Sequence, residues 1–179
     1  MQFSTAFNGR AHEIIELFKA TFSRSEGVEE GTLIGDLVRR QLSDTPEDDI
    51  RVITVEEDGG LIGACVFSRL TYEQEERTVF VLGPVAVIPE RQGRGIGQQL
   101  LHHGLAVLRL AGIDVAMTYG DPNYYGKVGF SPVSEDAAAA PFKLQYPEGW
   151  LGLSLTEQPF SPLKGRPKCI TAFEDPAFW

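Results

Sequence analysis

Residues 79–97 read VFVLGPVAVIPERQGRGIG: an apolar strand runs straight into a glycine-rich turn, and the turn opens a helix. Inside it, Gln92, Gly93, Arg94, Gly95, Ile96 and Gly97 spell Q-x-x-G-x-G. Consecutive backbone amides in such a turn point at one spot, at the positive end of a helix dipole. That makes an anion site suited to a phosphate or pyrophosphate. Glycine there permits a close approach that a Cβ would block.

Bulk properties narrow the field around this loop. A chain of 179 residues fits one domain, 1–179, with a sizeable core. A composition of 42% hydrophobic and 23% charged residues is that of an ordinary globular protein. The net charge of −9 argues against nucleic acid as a partner and favours a cationic acceptor such as an amine. Arg91 and Arg94 stand out beside the glycines of so acidic a chain. Two cysteines make no disulfide framework, and Cys65, in the apolar run Gly-Ala-Cys-Val-Phe, reads as a core thiol. No apolar stretch spans a membrane and the first ten residues lack a signal-peptide layout, so a cytoplasmic protein is expected.

Outward from the loop, the periodicity predicts helices over residues 11–22 and 32–42, with a polar, acidic loop at 23–31 that borders a site. Strands follow at 50–56, 61–70 and 78–88, joined by the Asp58-Gly59-Gly60 hairpin turn and a polar turn at 71–77. Gly83-Pro84 falls inside the third strand, and proline donates nothing to a ladder, so a bulge or an end of pairing is expected there. A helix over 95–111 turns His102 and His103 to its polar face, and Gly112 caps it. Residues 114–119 form a strand after this crossover, expected to run parallel to 85–88. A turn and short helix occupy 121–130, and closing strands are expected at 150–156 and 168–173. The aromatic tail, 173–179, is expected to pack on the core or on a second subunit of a homodimer.

The block PVAVIPERQGRGIG, followed by DVAMTYGDPNYYGKVGF with its Tyr-x-x-x-Gly-Phe, resembles the GNAT superfamily of acyl-CoA N-acyltransferases, in its YhbS-like branch. A Rossmann turn needs G-x-G-x-x-G after an early strand, and a P-loop needs Gly-Lys-Ser/Thr; this chain has neither. The resemblance implies an α/β fold with a strongly twisted mixed sheet of about seven strands and flanking helices. It implies a cofactor-binding core over about 78–130 and acetyl-CoA as co-substrate, with no metal. Pyrophosphate would sit on the amides of Gln92 to Gly97, aided by Arg91 or Arg94, and pantetheine would run along Val85, Ala86 and Val87. Donors near Val85 would stabilise the developing oxyanion. Tyr125 aligns with the family's general acid, a phenol that hands a proton to the departing thiolate, and Asn123 with a cofactor-contacting asparagine.

The general base is open among Glu73, Glu75, Glu76, Glu29, Glu30 and Asp121, or ordered water. The acceptor is an amine on a small molecule or a protein. Two other readings stand beside direct transfer: a non-catalytic acyl-CoA binder, and a transferase that forms an acyl-enzyme on Cys65.

Overall fold

Asp58 and Gly59 both adopt positive φ, 52° and 81°, as a two-residue hairpin turn with the right twist requires. They join β2 (Ile50–Glu57) to β3 (Gly60–Arg69) in the computed structural model, which describes residues 1–179. Before this hairpin lie β1 (Gln2–Ser4), α1 (Ala11–Glu26) and α2 (Val28–Asp44). After it come β4 (Thr71–Tyr72), β5 (Val79–Val87), α3 (Ile96–Leu110), β6 (Val115–Tyr119) and α4 (Pro122–Tyr125). The chain closes with β7 (Ser131–Pro132), β8 (Trp150–Ser154) and β9 (Pro167–Lys168). Seven strands form one mixed sheet in the order β1-β2-β3-β5-β6-β8-β7, and β4 pairs with β9 apart from it. The chain divides into two compact units, Met1–Phe67 with Pro84–Gly104, and Ser68–Gly83 with Leu105–Trp179.

In the first unit, α1 and α2 form a helical hairpin that buries Ile14, Phe18, Leu37 and Val38. The polar loop expected at 23–31 is not there. Helix continues through Glu26, one residue turns the chain, and α2 starts at Val28. Gly27, at φ 103°, makes that turn alone, in a region closed to most side chains. Glu29 and Glu30 are therefore not loop carboxylates but occupy the first turn of α2, where its dipole favours them. β1 pairs with β2, setting Phe3 opposite Val55, and the Phe3 ring stacks on His103 at 4.9 Å. His103 is therefore half-buried, and only His102 keeps the exposed position expected of both. α3 lies so close to β3 that a Cβ on Gly104 would stand 2.6 Å from the Phe67 ring.

In the second unit, the start of β5 runs parallel to β6, from Val79 opposite Val115 to Leu82 opposite Thr118. The partner segment is thus Val79 to Leu82, one step upstream of the 85–88 stretch expected from sequence, because the ladder ends where Gly83-Pro84 begins. β8 pairs antiparallel to β6 and carries the fully buried Trp150. The tail packs on this unit's own core: Trp179 meets the Trp150 ring edge-on at 5.9 Å and donates its indole N–H to Phe173 O at 3.0 Å. The strand expected over 168–173 shrinks to β9 and a single-turn helix, Thr171–Phe173. Phe173 N donates to Ile170 O and Glu174 N to Thr171 O, local bonds that turn the chain where a strand would need a neighbour.

At the crossing of α1 and α2, a Cβ on Gly31 would lie 1.8 Å from Ser23 Oγ and 2.6 Å from Lys19 O. The serine can rotate away, but the carbonyl cannot. Overpacking of about 1–3 kcal/mol outweighs the roughly 1 kcal/mol that alanine gains over glycine in a helix. Gly31→Ala should lower the thermal midpoint by several degrees; an unchanged or raised midpoint would refute the close-packing account.

Candidate active site

The loop that carries the phosphate signature is built by three local devices. Residues Pro89–Arg91 form a single-turn helix with proline at its first position, where no N–H is needed. Gly93 and Gly95 then take φ of 73° and 76°. A Cβ at either would meet nothing within 4 Å, so within the chain glycine is needed there for backbone conformation, and the space above the loop is free for a ligand. Finally, the Gln92 side-chain amide donates to Val87 O at 2.8 Å, which ties the loop back to the strand. No carbonyl or side chain of the chain accepts from the N–H groups of Gly93, Arg94, Gly95, Ile96 or Gly97. These are the orphan donors of a helix start, gathered on one exposed turn.

The two arginines differ. Arg91 Nε donates to Glu57 Oε2 at 2.5 Å, so its charge is largely committed at the end of β2. Arg94 is exposed on the loop, the better placed of the two to meet an anion. Glu90 pairs with Arg24 of α1, which relieves the loop of one carboxylate.

Upstream, the geometry of β5 follows from hydrogen bonds at its two ends. Leu70 N donates to Val79 O, and Ile88 N donates to Ile62 O. Between these bonds β5 uses one more residue than β3, so β5 contains a bulge within the stretch that holds Gly83-Pro84. Because Ile88 bonds toward β3, alternation turns the N–H and C=O groups of Val85 and Val87 to the opposite edge. The ladder with β6 has ended at Leu82, so this edge is left open, and Gln92 bonds the Val87 carbonyl on it. Ala86 is buried, while Val85 and Val87 are half-buried.

Tyr125 ends α4, whose start is capped by Asp121: its Oδ1 accepts from Asn123 N at 2.9 Å, with Pro122 at the first helical position. Pro122 therefore fixes the helix start. The Tyr125 ring lies across Gly120, where a Cβ would stand 2.6 Å from its Cε2, and it meets Phe130 edge-on at 6.0 Å. Tyr124 packs edge-on to it at 5.1 Å. Asn123 and Lys127 are exposed. Cys65 has no exposed surface, and burial pushes its thiol up, away from the thiolate. Cys169 is buried as well, with its thiol pushed up to about 11 by desolvation. No group of three or more His, Cys, Asp or Glu side chains is placed to hold a metal ion.

Residues 48–132 match the acetyltransferase (GNAT) domain family. An Escherichia coli K12 protein, the uncharacterized N-acetyltransferase YjhQ, is 33% identical over 139 residues, which cover 75% of this chain and 76% of that protein. Among solved structures, a GNAT family acetyltransferase from Brucella melitensis in complex with acetyl-CoA is 27% identical, with a TM-score of 0.75 and 97% of each chain covered. The E. coli YhbS N-acetyltransferase, in complex with CoA, shares the fold at a TM-score of 0.81 and 21% identity, covering 97% of this chain and 92% of its own. The chain belongs to the GNAT family of N-acetyltransferases. No helix is long and apolar enough to cross a membrane.

Among the candidate bases, Glu75 is removed by its partners. Arg77 donates to both of its carboxylate oxygens at 2.9 Å, and Lys164 N donates at 3.2 Å. These bonds, the Arg77 guanidinium first, hold its carboxyl well below the usual range, down to about 2. A carboxylate so stabilised is a poor proton acceptor at neutral pH, and it works instead as a clasp between the 71–77 turn and the 158–167 loop. Sequence offered no sign of this, since Lys164 lies far along the chain. A lowered folded value stabilises the fold above the unfolded value near 4.3, and that stabilisation is lost as pH falls toward 2. Glu75→Gln should cost about 1–3 kcal/mol at pH 7. The gap from wild type should close as denaturation is repeated from about pH 5 down to about pH 2; a gap that does not depend on pH would refute the clasp.

Proposed function

We propose that the protein transfers the acetyl group of acetyl-CoA to an amine by direct attack in a ternary complex, with residues 1–179 acting as one acyltransferase domain and about 78–130 as its cofactor-binding core. The observation that carries this is the open edge of β5 leading into a turn of unpaired amides. An extended pantetheine carries its own amide groups and pairs with Val85 as a missing strand would, beside the half-buried Val87. The pyrophosphate is then delivered to the amides from Gln92 to Gly97, with Arg94 as the cation and Arg91 held back by Glu57. Asn123, exposed on α4, would contact the cofactor as the family's asparagine does.

In the chemical step, a neutral amine attacks the thioester carbonyl carbon and its nitrogen forms the new C–N bond. The carbonyl oxygen takes up negative charge, met by amide donors near Val85. The C–S bond breaks, and the departing sulfur receives the proton of the Tyr125 hydroxyl. The nitrogen gives up its proton to water or to one of the exposed carboxylates, Glu73, Glu76 or Asp121. The tyrosine is reprotonated from solvent. The buried Cys65 offers no competing acyl-enzyme route.

Calorimetric titration should show micromolar binding of acetyl-CoA and none of NAD. Gly95→Asp should abolish that binding, since aspartate tolerates the positive φ of 76° but sets a carboxylate against the amides. Retained binding would remove the pyrophosphate assignment. Tyr125→Phe should leave acetyl-CoA affinity intact while kcat falls more than about tenfold. An unchanged kcat would discard Tyr125 as the acid.

A further inference from the structure

A cavity of about 360 Å³ opens beside Tyr125, lined by Tyr119, Asp121, Pro122, Tyr146, Glu148 and backbone of Gly120 and Gly149. Its walls come from two separate segments, the end of β6 with the α4 cap and the loop that leads into β8. Two hydrogen bonds hold them together: Tyr146 N donates to the Tyr119 phenol oxygen at 2.7 Å, and Gly120 N donates to Gly149 O at 2.9 Å. The closeness is enforced, because a Cβ on Gly149 would stand 2.9 Å from Gly120 O. The cavity is therefore preformed. Gly120, part of its wall, is also the residue across which the Tyr125 ring lies. Tyr146 is 64% exposed, so its ring is accessible from solvent.

We propose that this cavity is the acceptor's recognition pocket, and that the acceptor is an amine whose molecule carries a second, cationic group. The inference rests on the acetyltransferase reading above. Two carboxylates and two phenol rings around one concavity suit a cation, by charge pairing and by the face of the rings. The attacking nitrogen itself must be neutral, so the charge that Asp121 and Glu148 recognise belongs to a different group of the same molecule. Asp121 keeps one carboxylate oxygen on the helix cap, at Asn123 N, while Glu148 is exposed on the segment that leads into β8. The net charge of −9 adds a field that draws such a molecule in.

The test uses three primary amines of one chain length: butylamine, 1,4-diaminobutane and 4-aminobutanoate. Each is titrated onto the full-length protein loaded with CoA, and each is assayed for thiol release from acetyl-CoA. The diamine should bind and turn over at least about tenfold better than butylamine, and the amino acid worst. Glu148→Gln and Tyr146→Ala should erase the diamine's advantage through KM, with the KM for acetyl-CoA unchanged, and Glu148→Asp should keep that advantage. A merely structural role would move both KM values together. Failure of the diamine to bind the CoA-loaded protein, or a preference that survives Glu148→Gln, overturns the proposal. Protein that takes up no CoA at all overturns the acetyltransferase reading instead, and that outcome is read before any amine is added.

Discussion

One surplus residue in β5 governs the edge on which the proposed cofactor site is built. β3 and β5 are bonded at both ends, Leu70 to Val79 and Ile88 to Ile62, yet β5 uses one more residue between those points. Gly83-Pro84 lies between those points, and proline has no N–H to offer a neighbouring strand. The parallel ladder to β6 accordingly ends at Leu82 and Thr118. Val85 and Val87 keep their bonding groups pointed away from β3 with no strand to receive them. An open strand edge is usually a liability. Here it leads directly into the amides that open α3, so the unmet bonds of sheet and helix lie on one continuous stretch of chain.

The loop's charge is arranged by pairing more than by number. Glu57 takes Arg91, and Arg24 takes Glu90, so a segment rich in ions leaves Arg94 as its exposed cation. In a chain with nine more acidic than basic side chains, an anion site depends on such neutralisation nearby and on backbone dipoles. The Gln92 side chain adds a mechanical part by fastening to Val87 O. The turn is thus held to the strand by a side chain from inside the motif itself, which accounts for an amide-bearing residue at its head.

The sequence was legible where local physics decides structure. The Asp58-Gly59 turn, the glycine loop, the Gly83-Pro84 bulge and the Gly112 cap each follow from backbone restrictions on one or two residues. It was illegible where a distant partner decides. Residues 23–31 look like a loop because they are polar with two glycines, but Gly27 alone turns the chain and Gly31 is small because Lys19 O is against it. Residues 168–173 look like a strand, but residues 171–173 close local bonds as a single helical turn. Glu75 looks like any surface acid until Arg77 and Lys164 close on it. The pairing of Tyr119 with Tyr146 that builds the acceptor cavity depends on residues 27 apart in sequence, with no pattern linking them.

Burial also settles which side chains are fit for the chemistry. Both cysteines are buried, and burial raises both thiols, so the strongest potential nucleophiles of the chain are held in the form that does not attack. An acyl-enzyme would need one of them to reach a thioester, and the core would have to open to allow it. Direct attack makes no such demand: it needs an electrophile held by fixed donors and a proton for the leaving sulfur. Tyr125 is half-buried, its ring confined by Gly120 and Phe130, so its orientation is set before any ligand arrives. A larger residue at position 120 would displace that ring. The same missing Cβ therefore serves the position of the Tyr125 ring and the wall of the neighbouring cavity, so the proposed proton delivery and the proposed acceptor recognition would meet at Gly120.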